Sequence, residues 1–167
     1  MTNLKKTLKN RLDRAEKIAL LGIGSELNGD DAAGMLVAER LKKSFRTRRT
    51  RPFFKVFFGG TAPENITGEI KRFKPSHLIM VDAADIGQKA GGMILIEPQD
   101  VSGVSFSTHR LPTKIIAEYL SRCLDCRIVI IGIQPKSVEF GKRPSPQMRR
   151  AVERFSGLML DLLGGHI

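Results

Sequence analysis

The sequence predicts an α/β fold: a three-layer sandwich with a twisted sheet of about five mostly parallel strands and helices on both faces. Two observations carry this. Short apolar runs recur near residues 18–22, 53–58, 77–81, 93–96 and 127–133, and most of them lack the in–out alternation of a half-exposed sheet; strands buried on both faces read this way. Between most of these runs lie stretches with the apolar spacing of helices, so that right-handed crossovers place helices on both sides of the sheet.

Taken in order, residues 4–16 set Leu4, Leu8 and Leu12 four apart among Lys and Arg, a modest amphipathic helix ahead of the core. Its docking is left open. The first strand is expected over 18–22 and the first core helix over about 31–44. The run Arg46-Thr47-Arg48-Arg49-Thr50-Arg51 forms the next loop, closed by Pro52, and the second strand, 53–58, ends at Gly59-Gly60-Thr61-Ala62-Pro63. Pro63 and Glu64 suit the first turn of a helix running to about Phe73, with Thr61 or Ala62 near its cap and Pro75 as its stop. The third strand, 77–81, is expected to end on Asp82. Gly91-Gly92 leads to the fourth strand, 93–96. A polar loop over 97–109 follows, and Pro112 opens a helix to about Cys123. The fifth strand is 127–133, and a long amphipathic helix over about 145–163 stops at Gly164-Gly165. The 167 residues are read as one domain, 1–167, with 1–16 a basic, helical N-terminal extension and 17–167 the α/β core.

Apolar residues make up 41 % of the chain, enough for a full core. No apolar run approaches the length of a membrane span, and the basic N-terminus lacks the apolar stretch and cleavage site of a signal peptide. With only Cys123 and Cys126, a disulfide scaffold is excluded; the expected location is cytoplasmic. The net charge of +11 is concentrated before residue 18, in the arginine run and over 143–154. Such a surface attracts an acidic partner, but with no Trp and one Tyr it serves base stacking poorly, so nucleic acid is not the expected ligand.

The chemistry centres on Gly22-Ile23-Gly24-Ser25-Glu26-Leu27-Asn28-Gly29-Asp30-Asp31-Ala32-Ala33-Gly34, a glycine-rich turn from strand to helix. Asp30 is placed to cap the helix. Asp31, one residue on, is free to face the end of the sheet. Ligands of open α/β sheets bind beyond the carboxyl ends of the strands, and three residues converge there by position: Asp31 after the first strand, Asp82 at the end of the third, and His109 after the fourth. Taken singly, each could serve only a helix start or a loop. Together they form a site. Two carboxylates about 4 Å apart repel by roughly 4 kcal/mol at an effective dielectric near 20, which a shared proton or a bound cation relieves. An added imidazole favours a transition metal over calcium or magnesium.

Other motifs are set aside. Gly22 and Gly24 begin a dinucleotide fingerprint, but Leu27 stands where its third glycine belongs. Cys123-Leu124-Asp125-Cys126 falls at a helix end, away from the positive helix terminus that activates thiols, and has no second pair to complete a zinc site. His77 and His166 read as structural or exposed.

Residues 22–34, Gly59-Gly60-Thr61-Ala62-Pro63-Glu64-Asn65, 78–87, Ser107-Thr108-His109 with Leu111-Pro112, and Gly132-Ile133-Gln134-Pro135 together resemble the nickel–iron hydrogenase maturation endopeptidases, particularly the type serving formate-hydrogenlyase hydrogenases. They occur in family order over about residues 17–155. The resemblance implies an α/β protease that cuts a C-terminal tail from the large-subunit precursor once nickel is inserted. It assigns metal binding to Asp31, Asp82 and His109. It implies that the nickel is carried by the substrate, with cadmium or zinc able to substitute for it in crystals. Three positions depart from the pattern: Ala32 replaces a common glycine, Ser25 an asparagine, and Phe58 an acidic residue before the Gly-Gly pair. The last of these motivates a second reading, a non-proteolytic metal-handling or assembly protein; a nucleic-acid-associated basic domain, motivated by the charge, is a third.

Overall fold

The structure is a computed structural model and describes residues 2–46, 52–100, 105–106 and 113–164. Its elements in chain order are α1 (Thr2–Arg11), β1 (Lys17–Ile23), α2 (Ala33–Phe45), β2 (Phe53–Gly60), α3 (Thr67–Phe73), β3 (His77–Asp85), β4 (Met93–Ile96), β5 (Ser105–Phe106), α4 (Thr113–Cys123), β6 (Arg127–Ile133) and α5 (Pro146–Leu163). Short 3-10 turns span Gly29–Ala32, Pro63–Ile66 and Pro98–Asp100. The sheet runs β2-β1-β3-β6-β4, with β5 paired to the end of β3. The first four of these strands are mutually parallel, and β4 and β5 run antiparallel to their neighbours. The predicted α/β class and mostly parallel sheet are what is found.

Side-chain alternation sorts the core into two layers. Ile18, Leu20, Ile79, Val81, Val129 and Ile131 face the side covered by α1, α2 and α5. Ala19, Leu21, Leu78, Met80, Ile128 and Ile130 face α3 and α4. Both faces of β1, β3 and β6 are therefore covered, which is why their sequences read as unbroken apolar runs. Each fully buried Leu or Ile contributes roughly 1.5–3 kcal/mol. The C-terminal helix presents Met148, Ala151, Val152, Phe155, Met159 and Leu163 on one stripe. It starts on Ser145, whose hydroxyl accepts from the Met148 N–H at 3.1 Å, with Pro146 preset for the first turn.

Several local expectations are revised. The first core helix begins at Ala33, because a 3-10 turn intervenes and holds both aspartates. No side chain caps that turn or α2, so Asp30 does not serve the helix beside it. The helix expected from Pro63 splits into a 3-10 turn and α3, with Ala62 as its cap residue. Strand β3 does not end on Asp82 but continues to Asp85, since Ala84 and Asp85 find partners in Phe106 and Ser105. The loop over 97–109 thus contains a strand that two residues could not announce. Helix α1 docks: Leu8 is fully buried in the larger core layer, and Arg11 meets Glu97 at 2.7 Å. No helix among the described residues is long and apolar enough to cross a membrane.

Candidate active site

The site is assembled where α2 crosses the junction of β1 and β3. At Gly34 a Cβ would collide with the carbonyl oxygens of Ile23 and Val81, so only glycine lets the helix sit this close. Gly24 has φ +135°, and a Cβ there would strike the Asp31 carbonyl; the turn therefore folds back on itself without a side chain in the way. Gly22 lies beside Val81 in register, and the turn bearing Asp31 packs on β3. Asp31 accordingly follows β1 and Asp82 lies just past the last β1-paired residue of the adjacent parallel strand β3.

Both are buried: Asp31 is 3 % exposed and Asp82 0 %. Asp31 Oδ2 accepts the Ser25 backbone N–H at 2.9 Å, which aims the carboxylate back across the mouth of the turn. Asp82 lies on the face covered by α4, and its Oδ2 accepts the Thr113 hydroxyl at 2.6 Å. A hydrogen bond this short fixes the orientation of the carboxyl group. Thr113 is itself fully buried at the first position of α4. The third predicted residue, His109, lies outside the described residues, as do Leu111 and Pro112. Among the described residues, no group of three His, Cys, Asp or Glu side chains is arranged to hold a metal ion. The structure thus brings two of the three residues to one edge.

Asp30 does something the sequence does not reveal. Its carboxylate accepts the backbone N–H groups of Lys136 at 2.7 Å and Ser145 at 2.6 Å and the Ser145 hydroxyl at 2.8 Å, while its own N–H donates to the Ser137 carbonyl at 2.9 Å. It clamps the β6–α5 loop onto the turn that carries Asp31. The same loop is stitched on by Gly29 N–H to the Lys142 carbonyl and Gly141 N–H to that of Leu27. The rim so formed exposes Leu27, Val138 and Phe140, the last 78 % exposed.

Gln134 braces the opposite side: its side-chain oxygen accepts the N–H groups of Ile86 at 2.8 Å and Gln88 at 3.2 Å, and its amide donates to Asp85 at 3.3 Å. Phe58 brings no carboxylate to the site; it packs on the α2 side with the Lys42 ammonium 4.9 Å from its ring centre. Cys126 is half-buried and His77 buried, whereas Cys123 is exposed. Burial, and then Asp125, push the Cys126 thiol up to about 12, far from a thiolate at neutral pH. Burial, and then Arg127, lower the basicity of His77, whose Nδ1 lies 3.0 Å from the Ser76 hydroxyl.

With this geometry in view, the comparisons are specific. The profile of the family described as hydrogenase maturation protease matches residues 35–162. A putative hydrogenase maturation protease of Methanocaldococcus jannaschii is 35 % identical over 140 residues, covering 82 % of this chain and 83 % of that protein. The hydrogenase 3 maturation protease of Escherichia coli K12 is 32 % identical over 135 residues, covering 80 % and 83 %. The crystal structure of the [NiFe] hydrogenase maturation protease HycI from Thermococcus kodakarensis superposes with a TM-score of 0.82 at 35 % identity, covering 93 % of this chain and 97 % of that one. A matching fold, a profile over most of the chain and these identities agree: the chain belongs to the hydrogenase maturation protease family.

Proposed function

We propose that this peptidase removes the C-terminal tail of a nickel–iron hydrogenase large-subunit precursor after nickel insertion, and that Asp31, Asp82 and His109 recognise the nickel that the precursor carries. The observation that carries the reading is the burial of two carboxylates, each held by a donor from a separate loop or helix, where the turn after β1 packs on β3. Carboxylate oxygens are suited to a divalent cation, and an imidazole beside them favours a transition metal. His109 belongs to the chain between two anchors beside Asp82: Phe106 pairs with Ala84, and Thr113 bonds Asp82 itself.

In this reading Ser25 and Thr113 hold the two carboxylates ready, and the clamped rim positions the tail. The chemistry available to a divalent ion there is polarisation of the scissile carbonyl or of an attacking water, worth several kcal/mol. Enzymes need about 8–23 kcal/mol in all, so positioning of the tail supplies a large share of the remainder. The test is incubation with nickel-loaded and nickel-free precursor. Shortening of the loaded form alone is expected; equal cleavage of both would remove nickel recognition, and cleavage of neither would remove the reading altogether.

A further inference from the structure

We propose that the outer edge of β2, with the groove beside it, receives an extended acidic and apolar segment of the precursor; this rests on the function proposed above. Strand β2 ends the sheet, and among the described residues no strand pairs with its outer side. An uncovered strand edge is a template for another chain, which gains backbone hydrogen bonds there and specificity from alternate side chains. Beside this edge lies a groove of about 840 Å3 between β2 and α2. Its apolar floor is Phe45, Phe54, Val56 and Phe58. Its rim is cationic: Lys42, Lys43 and Arg46 are exposed there, against the single carboxylate of Glu39.

None of these three cations is in an ion pair among the described residues. Lys42, on α2, lies over the Phe58 ring at 4.9 Å, so the cationic rim meets the apolar floor. The matching segment is extended, with apolar side chains for the floor and Asp or Glu for the rim. The direction also fits. The eight residues of β2 span about 26 Å and finish at Gly60, whose carbonyl accepts the Gly24 N–H at 3.0 Å in the turn leading to Asp31. A segment laid along β2 therefore runs out at the corner holding the candidate site.

The experiment compares the wild type with Lys42→Glu/Lys43→Glu and a control, Lys6→Glu/Lys9→Glu, which makes the same charge change on exposed residues of α1. Affinity for the nickel-loaded precursor is measured at low and high salt, with amide exchange followed along β2. At low salt the groove variant is expected to bind at least roughly tenfold more weakly, the loss shrinking at high salt. The control is expected to bind like the wild type, and the precursor to protect β2 amides. Equal binding by all three proteins would overturn the inference while wild-type cleavage kept the proposed function; absence of cleavage with groove-dependent binding would do the reverse. Protection of the outer edge in the free protein, or salt-sensitive self-association lost in the groove variant, would assign the edge to this chain's own residues or to a second copy and would also overturn it.

Discussion

The carboxylate of Asp30 lies 2.6 Å from the Ser145 backbone nitrogen and 2.8 Å from its hydroxyl, joining two residues 115 positions apart. Ser145 is also the N-cap of α5, so one carboxylate orients the cap of the longest helix and anchors the loop that borders the candidate site. The next residue, Asp31, has no part in that clamp. Of two adjacent acids, one thus holds the loop and the other is bonded by the Ser25 N–H.

Asp30→Ala strips the acceptor from two part-buried backbone donors and a hydroxyl. A loss of about 2–4 kcal/mol is expected, read as an earlier urea midpoint with an unchanged slope. Ser145→Ala is expected to cost less, about 1–2 kcal/mol, for the lost cap.

Asp82→Asn and Asp31→Asn are expected to abolish cleavage of nickel-loaded precursor while the folded protein remains detectable by circular dichroism. Thr113→Val removes the donor that orients Asp82. Losing such a supporting partner typically costs 10–100-fold in metal affinity or activity, and Thr113→Ser is expected to recover most of it. Nickel titration by calorimetry, alongside cleavage rates, checks both effects.

Phe140→Ser and Leu27→Ser change exposed side chains on the rim. Stability is expected to move by no more than about 0.5 kcal/mol. If the rim seats the precursor, its apparent KM rises several-fold with kcat little changed, as steady-state cleavage would show.

His77 is held less basic in the folded chain than its ordinary value of 6.5, first by burial. The unfolded chain then takes up its proton first as the solution is acidified. The stability contribution is complete above pH 6.5 and declines below it, toward the lower folded-state value. His77→Gln is expected to flatten this part of a stability curve measured between pH 7.5 and 5.5.

Cys126, pushed up to about 12, is expected to resist alkylation at pH 8, whereas exposed Cys123 is labelled. Cleavage is expected to be indifferent to thiol reductants, and peptide mapping after iodoacetamide separates the two thiols.

Much of this architecture is legible in the residues themselves. Apolar runs such as 127–133 coincide with their strand because burial on both faces leaves little room for polar side chains. The proline-led helix ending at Leu163 is legible because Ser145 and Pro146 are local signals. Strand β5 is not, since a pair of residues has no periodicity and exists only through Ala84 and Asp85. The clamp made by Asp30 is invisible for the same reason: the donors to it come from residues 136 and 145. Thr113 is likewise chosen by contact with a strand 31 positions earlier, not by anything around it in the chain.

Helix α1 has a consequence for how the protein is handled. Leu8 is wholly enclosed by the layer that includes Phe155 and Leu163, and Arg127 donates to the Arg11 carbonyl. Trimming the gene to the protease-like region starting near residue 17 would uncover an oily surface on the layer that α1 covers. Low yield from such a shortened clone would then reflect the missing lid on the interior rather than a defect in proteolysis.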